Sequence, residues 1–134
     1  EDEMADAVEA CLAHRVDALI VGNTTLSRPP TLRSIHRDEA GGLSGAPLMA
    51  LSTAMLGRAY DMARGRLPLI GCGGIGSGAD AYAKIRAGAS AVQLYSAMAY
   101  AGPGLVGRIK RELAAFLRAD GFASVREACG ADRR

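Results

Sequence analysis

Tryptophan is absent from this chain, and aromatic residues make up only 4% of it. Proteins that grip single-stranded nucleic acid stack bases on rows of aromatic rings, so that class is excluded. An excess of one charge is missing as well. Sixteen basic and 14 acidic side chains leave a net +2, too little to mark a polyanion partner. No apolar run approaches the ~20 residues of a membrane-spanning helix. Cysteine is sparse: Cys11, Cys72 and Cys129 lie far apart, without a CxxC pair or a histidine at ligand spacing. No metal site is expected from them, and their odd number fits reduced thiols. The opening Glu1-Asp2-Glu3 is the reverse of a basic secretory leader. The first residue is not Met, which fits a processed chain or an incomplete reading frame.

What remains is an ordinary soluble composition. Of 134 residues, 49% are hydrophobic and 22% charged, enough for one modest domain or a piece of a larger one. Glycine is abundant at 17, and its placement carries most of the functional information.

Residues 1–15 read as a helix with Met4, Val8, Cys11, Leu12 and Arg15 on one face and acids in the first turn. Ala18–Val21 is a short apolar run ended by Gly22, the pattern of a buried strand. Residues 23–44 show no period and carry Pro29-Pro30 and Gly41-Gly42; a loop that long is functional or disordered. A helix follows from Pro47 to about Gly65, with Leu48, Leu51, Met55, Ala59 and Met62 on its apolar face. Leu67–Cys72 reads as a second strand. Ser77 caps the next helix with Asp80 at the capping-box position, and that helix ends near Gly88. Ala91–Leu94 reads as a third strand, with Gln93-Leu94-Tyr95-Ser96 as the segment at its C-terminal end. Gly102-Pro103-Gly104 breaks the chain before an amphipathic helix from Leu105 to about Ala119. Ser124 caps a short last helix, and Asp132-Arg133-Arg134 reads as a charged tail.

Strands alternating with helices imply an α/β fold with a parallel sheet and right-handed crossovers. Three strands are few, and the outer two would leave backbone groups unpaired. The alternation fits an open doubly wound sheet or part of an eight-stranded barrel, and in both the loops after the strands share one ligand-binding face.

Those loops are distinctive. The second, Gly71-Cys72-Gly73-Gly74-Ile75-Gly76-Ser77-Gly78, places five glycines in eight residues. Such a segment lets backbone N–H groups approach an anion, and the helix that follows adds its dipole, so phosphate is the natural ligand. The residues complete a bare GxGxxG, but no acid follows at the spacing that would hold a ribose, so a dinucleotide is not indicated. The first loop offers Asn23 and Thr24, neutral hydrogen-bonding groups suited to an amide-rich heterocycle, and equally suited to an Asx or ST turn. The third offers Tyr95 and Ser96, a ring and a hydroxyl that would share the phosphate; Tyr95 alone also fits a core aromatic. Gly41-Gly42-Leu43-Ser44-Gly45 precedes a helix and would bring further N–H groups.

Other reactive residues read as structural. His14 is expected at a solvent-facing helix position, His36 in a solvated charge cluster, Lys84 and Lys110 on helix surfaces, and Cys72 as a small buried side chain. No Ser/His/Asp or paired-carboxylate set emerges.

The segments Gly22–Pro29, Gly41–Leu48, Ser52-Thr53, Leu69–Ile75 with Ser77-Gly78, Lys84–Ser90 and Val92–Ser96, then Gly102-Pro103 and Gly121-Phe122, together resemble the class 2, quinone-linked dihydroorotate dehydrogenase family over essentially the whole chain. The resemblance implies a (β/α)8 TIM barrel that binds FMN, oxidises (S)-dihydroorotate to orotate in pyrimidine synthesis, and passes the electrons to a membrane quinone. It implies that Asn23 and Thr24 bind the substrate. It implies that Gly22, Gly45, Gly74, Tyr95 and Ser96 bind FMN, the last three around its phosphate. Gly22 stands where the family commonly has Thr, and Cys72 where it has an aliphatic residue. The family's catalytic serine, its flavin-contacting lysine and its amino-terminal membrane-docking helices have no counterpart here. Residues 1–134 are therefore expected to be a carboxy-terminal part of the barrel, about three βα units, with no catalytic residue and no dehydrogenase activity alone. The enzyme itself is expected on the cytoplasmic side of the cell inner membrane, as a peripheral protein. Two other readings stay open on the residues: a different FMN- or phosphate-binding barrel oxidoreductase, and a non-enzymatic half-barrel that dimerises to cover its sheet edges.

Overall fold

The computed structural model describes residues 2–134. Helix α1 (Asp2–Ala13) is amphipathic and buries Val8; the part of the expected helix that falls on Glu1 lies outside the described residues. Its C-terminal turn closes at His14, and Arg15 sits beyond it with φ 54°, off the apolar face expected for it. Strand β1 (Leu19–Val21) follows. After a long arm, a 3-10 turn (Ala46–Leu48) opens helix α2 (Met49–Ala63). Then come β2 (Leu69–Cys72), α3 (Gly78–Arg86), β3 (Ala91–Gln93), α4 (Ser96–Ala101), α5 (Gly104–Ala119), α6 (Val125–Ala128) and a 3-10 turn (Ala131–Arg133).

The three strands form one parallel sheet in the order β1-β2-β3. The register pairs Leu19 with Leu69, Val21 with Gly71, and Gly71 with Val92. In a parallel sheet paired residues point the same way, so these side chains share one face. That face meets the helices: Leu69, Val21, Leu56, Ile85 and Ala89 are buried together with Val92 packed against them. The opposite face carries Ile20, Ile70 and Cys72, and Ile20 is exposed. A second, smaller core of Ile75, Ala81, Leu105 and Ile109 lies beside α4 and α5.

Four expectations need correction. The buried stripe of α2 is Leu48, Ser52, Leu56, Ala59 and Ala63, while Leu51 is exposed. The pattern was rotated because Ser52 reads as polar, yet its hydroxyl donates to Leu48 O at 2.8 Å and so is buried at little cost. Residues 96–101, where no element was expected, form α4. Residues 131–134 are docked rather than free: Arg133 pairs with Asp61 on α2, and Arg86 donates to Asp132 at 2.7 Å. Lys84 is not on the surface; its exposure is 0%.

The capping signals were legible. Ser77 Oγ accepts the Asp80 N–H at 3.2 Å and Ser124 Oγ that of Glu127 at 3.3 Å. His14, His36 and Lys110 are exposed as expected, with His36 beside Glu39 at 2.7 Å.

Candidate functional site

Each strand of a parallel βα unit delivers its following loop to the same end of the sheet. Here the loops after β1, β2 and β3 close around a cleft of about 670 Å³. Gly22, Asn23, Thr24, Gly45, Gly74, Tyr95 and Ser96 all line it, although they span 75 positions of sequence (22 to 96). The sheet's open face supplies the floor with Ile20, Cys72 and Gln93. Cys72 is half-buried there and faces the cleft, rather than the interior expected for it. No charged side chain is among the lining residues. The cleft therefore offers backbone groups, hydroxyls, one carboxamide pair and apolar wall, a composition suited to a ring system with few polar atoms.

The second loop requires glycine. Gly73 and Gly74 have φ of 93° and 84°. A β-carbon on Gly74 would lie 2.4 Å from Met49 Cα, and one on Gly73 would lie 3.3 Å from the Ser52 side chain. The loop thus rests on the first turn of α2, which leaves no room for side chains there. This is the cradle geometry that lets main-chain N–H groups meet an anion. The start of α3 is a poorer anion site than the sequence suggests. Gly76 N–H donates to Asp80 Oδ2 at 3.0 Å and Gly78 N–H to Glu112 Oε2 at 2.6 Å, so carboxylates of the protein already answer that helix dipole.

The first loop is held by the arm after it. Thr25 and Leu43 form an antiparallel bridge with N–H to O distances of 3.0 and 2.8 Å. Arg28 pins the arm: its guanidinium donates to the carbonyls of Arg37, Glu39 and Gly41, each at 2.8 Å. Asn23 Oδ1 accepts the Thr24 N–H at 2.8 Å, which leaves the Asn23 amide free to point away from its own backbone. A β-carbon on Gly42 would lie 2.0 Å from Thr24 Oγ1, so Gly42 is what seats Thr24. Ser44 Oγ lies 3.1 Å from Ser96 Oγ and joins the arm to the third loop. Tyr95 is 83% exposed at the cleft mouth, not a core aromatic.

Behind the second loop lies a group the sequence did not announce. Lys84 Nζ donates to Ser52 Oγ at 2.5 Å, and Ser52 Oγ is 3.0 Å from Gly73 O. Burial pushes this ammonium down to about 8, against opposing attraction from Cys72 and Asp80. A lysine in a helical pattern reads as surface; only the apolar neighbours at Ala81 and Ile85 hinted that this face turns inward.

The family model for Dihydroorotate dehydrogenase matches residues 1–117. The chain belongs to the dihydroorotate dehydrogenase family. Dihydroorotate dehydrogenase (quinone) of Xanthobacter autotrophicus is 64% identical over 131 residues, which cover 98% of this chain and 37% of that protein. The mitochondrial dihydroorotate dehydrogenase (quinone) of Oryza sativa subsp. japonica is 56% identical over 133 residues, 98% of this chain and 28% of the relative. A crystal structure of ligand-free dihydroorotate dehydrogenase from Eimeria tenella superposes with a TM-score of 0.94 at 46% identity, covering all of this chain and 37% of that one. The same family fold was solved in complex with ferulenol, with a TM-score of 0.94. The chain thus spans little more than a third of the length of these relatives, and its three strands match part of the dihydroorotate dehydrogenase TIM barrel. Among the described residues no helix is long and apolar enough to cross a membrane, and none group as metal ligands.

Proposed function

We propose that these 134 residues form part of one (β/α)8 domain, a carboxy-terminal portion, in a quinone-dependent dihydroorotate dehydrogenase. In this reading they supply the wall that holds FMN and one edge of the pyrimidine. The convergence of the three strand-end loops on one uncharged cleft carries the proposal. FMN fits the residues present. The Gly73-Gly74 cradle, which a β-carbon would fill, suits a phosphate, and the apolar floor suits a ring. When bound, FMN supplies the acceptor for the hydride that leaves dihydroorotate.

The chain's own residues bind and orient. Gly74 and Ser96, with Tyr95 as a wall, hold the phosphate end. Gly22 and Gly45 present backbone to the flavin. Asn23 and Thr24 donate to and accept from the dihydroorotate ring, with Thr24 fixed on Gly42. No residue of this chain takes the substrate proton; that base lies elsewhere in the enzyme. The electrons go on to a membrane quinone, and peripheral contact with the inner membrane on its cytoplasmic side falls to regions outside these residues.

Flavin titration tests the reading. FMN fluorescence should be quenched on binding, and Gly74→Ala together with Ser96→Ala should weaken FMN far more than Asn23→Ala does. Asn23→Ala should instead raise the KM for dihydroorotate in the complete enzyme. The 134-residue chain alone should not reduce a quinone with dihydroorotate. Equal FMN affinity in all three variants would refute the assignment.

A further inference from the structure

A flavin phosphate is a dianion near neutral pH, yet no side chain lining the cleft is charged. Within these residues, only backbone N–H groups and hydroxyls face it. The structure places one buried cation directly behind the proposed phosphate loop. Lys84 reaches from α3 across the helix-covered face of the sheet. Its Cδ would touch a β-carbon on Gly71 at 3.2 Å, beside Leu56 and Ala89. Its Nζ ends on Ser52 Oγ at 2.5 Å. Ser52 bridges Leu48 O at 2.8 Å, at the start of α2, and Gly73 O at 3.0 Å, in the loop itself.

This arrangement is odd for a structural lysine. Lysine is almost never fully buried unless paired, and Lys84 has 0% exposure. Among the described residues it forms a hydrogen bond to a hydroxyl and no ion pair with a carboxylate. Asp80, on its own helix, is occupied by Gly76 N–H and Ser77 Oγ. The ionisable groups facing Lys84 are Asp80 and, from β2, Cys72; α2 presents Ser52 and Leu56, and Ala89 follows α3, none of them ionisable. The other cation near the loop, Arg108 on α5, is exposed, lies 3.5 Å from Gly76 O, and is already paired with Glu112. Among the described residues this positive charge is desolvated without a carboxylate in ion-pair contact, and only the longer-range attraction of Asp80 and Cys72 opposes that cost. An anion bound at the Gly73-Gly74 loop, whose Gly73 carbonyl the Ser52 hydroxyl reaches, would be its partner.

We propose that Lys84 is the buried counter-charge for the flavin phosphate and, through Ser52, the positioning residue for the Gly73-Gly74 loop. The inference rests on the FMN reading above and adds to it a residue that does not line the cleft. The coupling is reciprocal: a dianion at the loop favours protonated Lys84, and protonated Lys84 favours the dianion.

The test compares FMN with riboflavin, which has the same ring and no phosphate, by fluorescence titration of the 134-residue chain. The FMN-to-riboflavin affinity ratio should fall at least about tenfold in Lys84→Met, because a charge that attracts the phosphate is lost while the ring contacts stay. Riboflavin affinity should hold. Arg108→Gln should leave the ratio unchanged. In the unsubstituted protein the ratio should decline as pH rises past about 8, where Lys84 loses its proton, and in Lys84→Met it should be flat. Ring titration cancels in the ratio, and the phosphate is fully ionised there.

The unsubstituted protein gives an independent readout, which holds if Lys84→Met does not fold. Lys84 is one of two lysines in this sequence, and the other, Lys110, is exposed. With lysine-selective 13C labelling, the Lys84 titration should move upward on adding FMN and stay put on adding riboflavin. Equal losses for both flavins, or a Lys84 titration indifferent to FMN while FMN is bound, would overturn the proposal and leave the flavin site standing. If neither flavin binds, the FMN reading fails first and this inference falls with it.

Discussion

A β-carbon on Gly74 would stand 2.4 Å from Cα of Met49. The contact joins the loop after β2 to the first turn of α2, and it is backbone against backbone, so neither side can rotate away. Gly74→Ala should therefore displace the loop. We expect a loss of roughly 1–3 kcal/mol in stability and FMN affinity reduced at least about tenfold, that is by about 1.4 kcal/mol or more. Gly121→Ala is the control: its φ is also positive at 78°, but nothing lies within 4 Å. It should cost about 1 kcal/mol through backbone strain with flavin binding intact. Urea unfolding and flavin titration separate the two effects.

Gly22 follows β1 at a position where the family resemblance leads one to expect Thr. In this chain its φ is 139°, and a β-carbon would meet Cys72 O at 2.8 Å. Gly22→Thr should consequently destabilise by about 1–3 kcal/mol rather than restore a missing contact. A rise in the urea midpoint would show that the loop relaxes to accept the side chain.

Arg28 gathers carbonyls that are 9 to 13 positions away along the arm. Arg28→Ala should free residues 29–41, and Arg28→Lys should not rescue it, because one ammonium cannot replace a planar fork. Limited proteolysis should cut the arm of both variants sooner, with the core helices still protected.

Lys84 gives stability a pH dependence of unusual sign. Its ammonium titrates at about 8 in the folded chain and at its ordinary 10.5 when unfolded. Between those values the unfolded chain holds more protons, so stability rises with pH through this group. Lys84→Met should flatten that rise between pH 8 and 10.5. At neutral pH the variant should be at least as stable as the parent, because a desolvated charge has been removed, even while FMN binding weakens.

The Arg133 guanidinium, by hydrogen bond and then by charge, holds the Asp61 carboxyl below its usual range. Such a group contributes stability above the ordinary carboxylate pKa and loses it as pH falls through the folded value. The pair is exposed, so Asp61→Asn should lower the thermal midpoint only slightly at pH 7. The difference should vanish below about pH 4.

Much of the molecule was readable without coordinates. The runs ending at Val21, Cys72 and Leu94 are short, apolar and glycine- or turn-bounded, and such runs favour strands; the third is more exposed than its pattern suggests, with Ala91 and Gln93 open to solvent. Ser77 and Ser124 announced helix starts because a cap is a contact within three residues. Six of the seven candidate residues follow strand ends, where the topology of parallel units sends all loops to one side; Gly45 instead closes the arm before α2. The misses share a cause. Residues 96–101 lack a strong helical pattern, and α4 forms because Ala97 and Met98 pack on the core of Leu105 and Ile109. Gly42 and Arg28 gave no local sign of their roles, since each acts on a residue brought near by the fold of the arm.

Sequence alone determined the three strands and the helices between them, the glycine turns and the family, because these depend on preferences and spacings within a few residues. It could not determine which polar side chains go inside. Ser52 and Lys84 are 32 positions apart, and only the fold brings them into one buried hydrogen bond. That pairing, and the meeting of three loops around one uncharged cleft, came from the packing of α2 and α3 on a shared sheet face, where distance in space replaces distance along the chain.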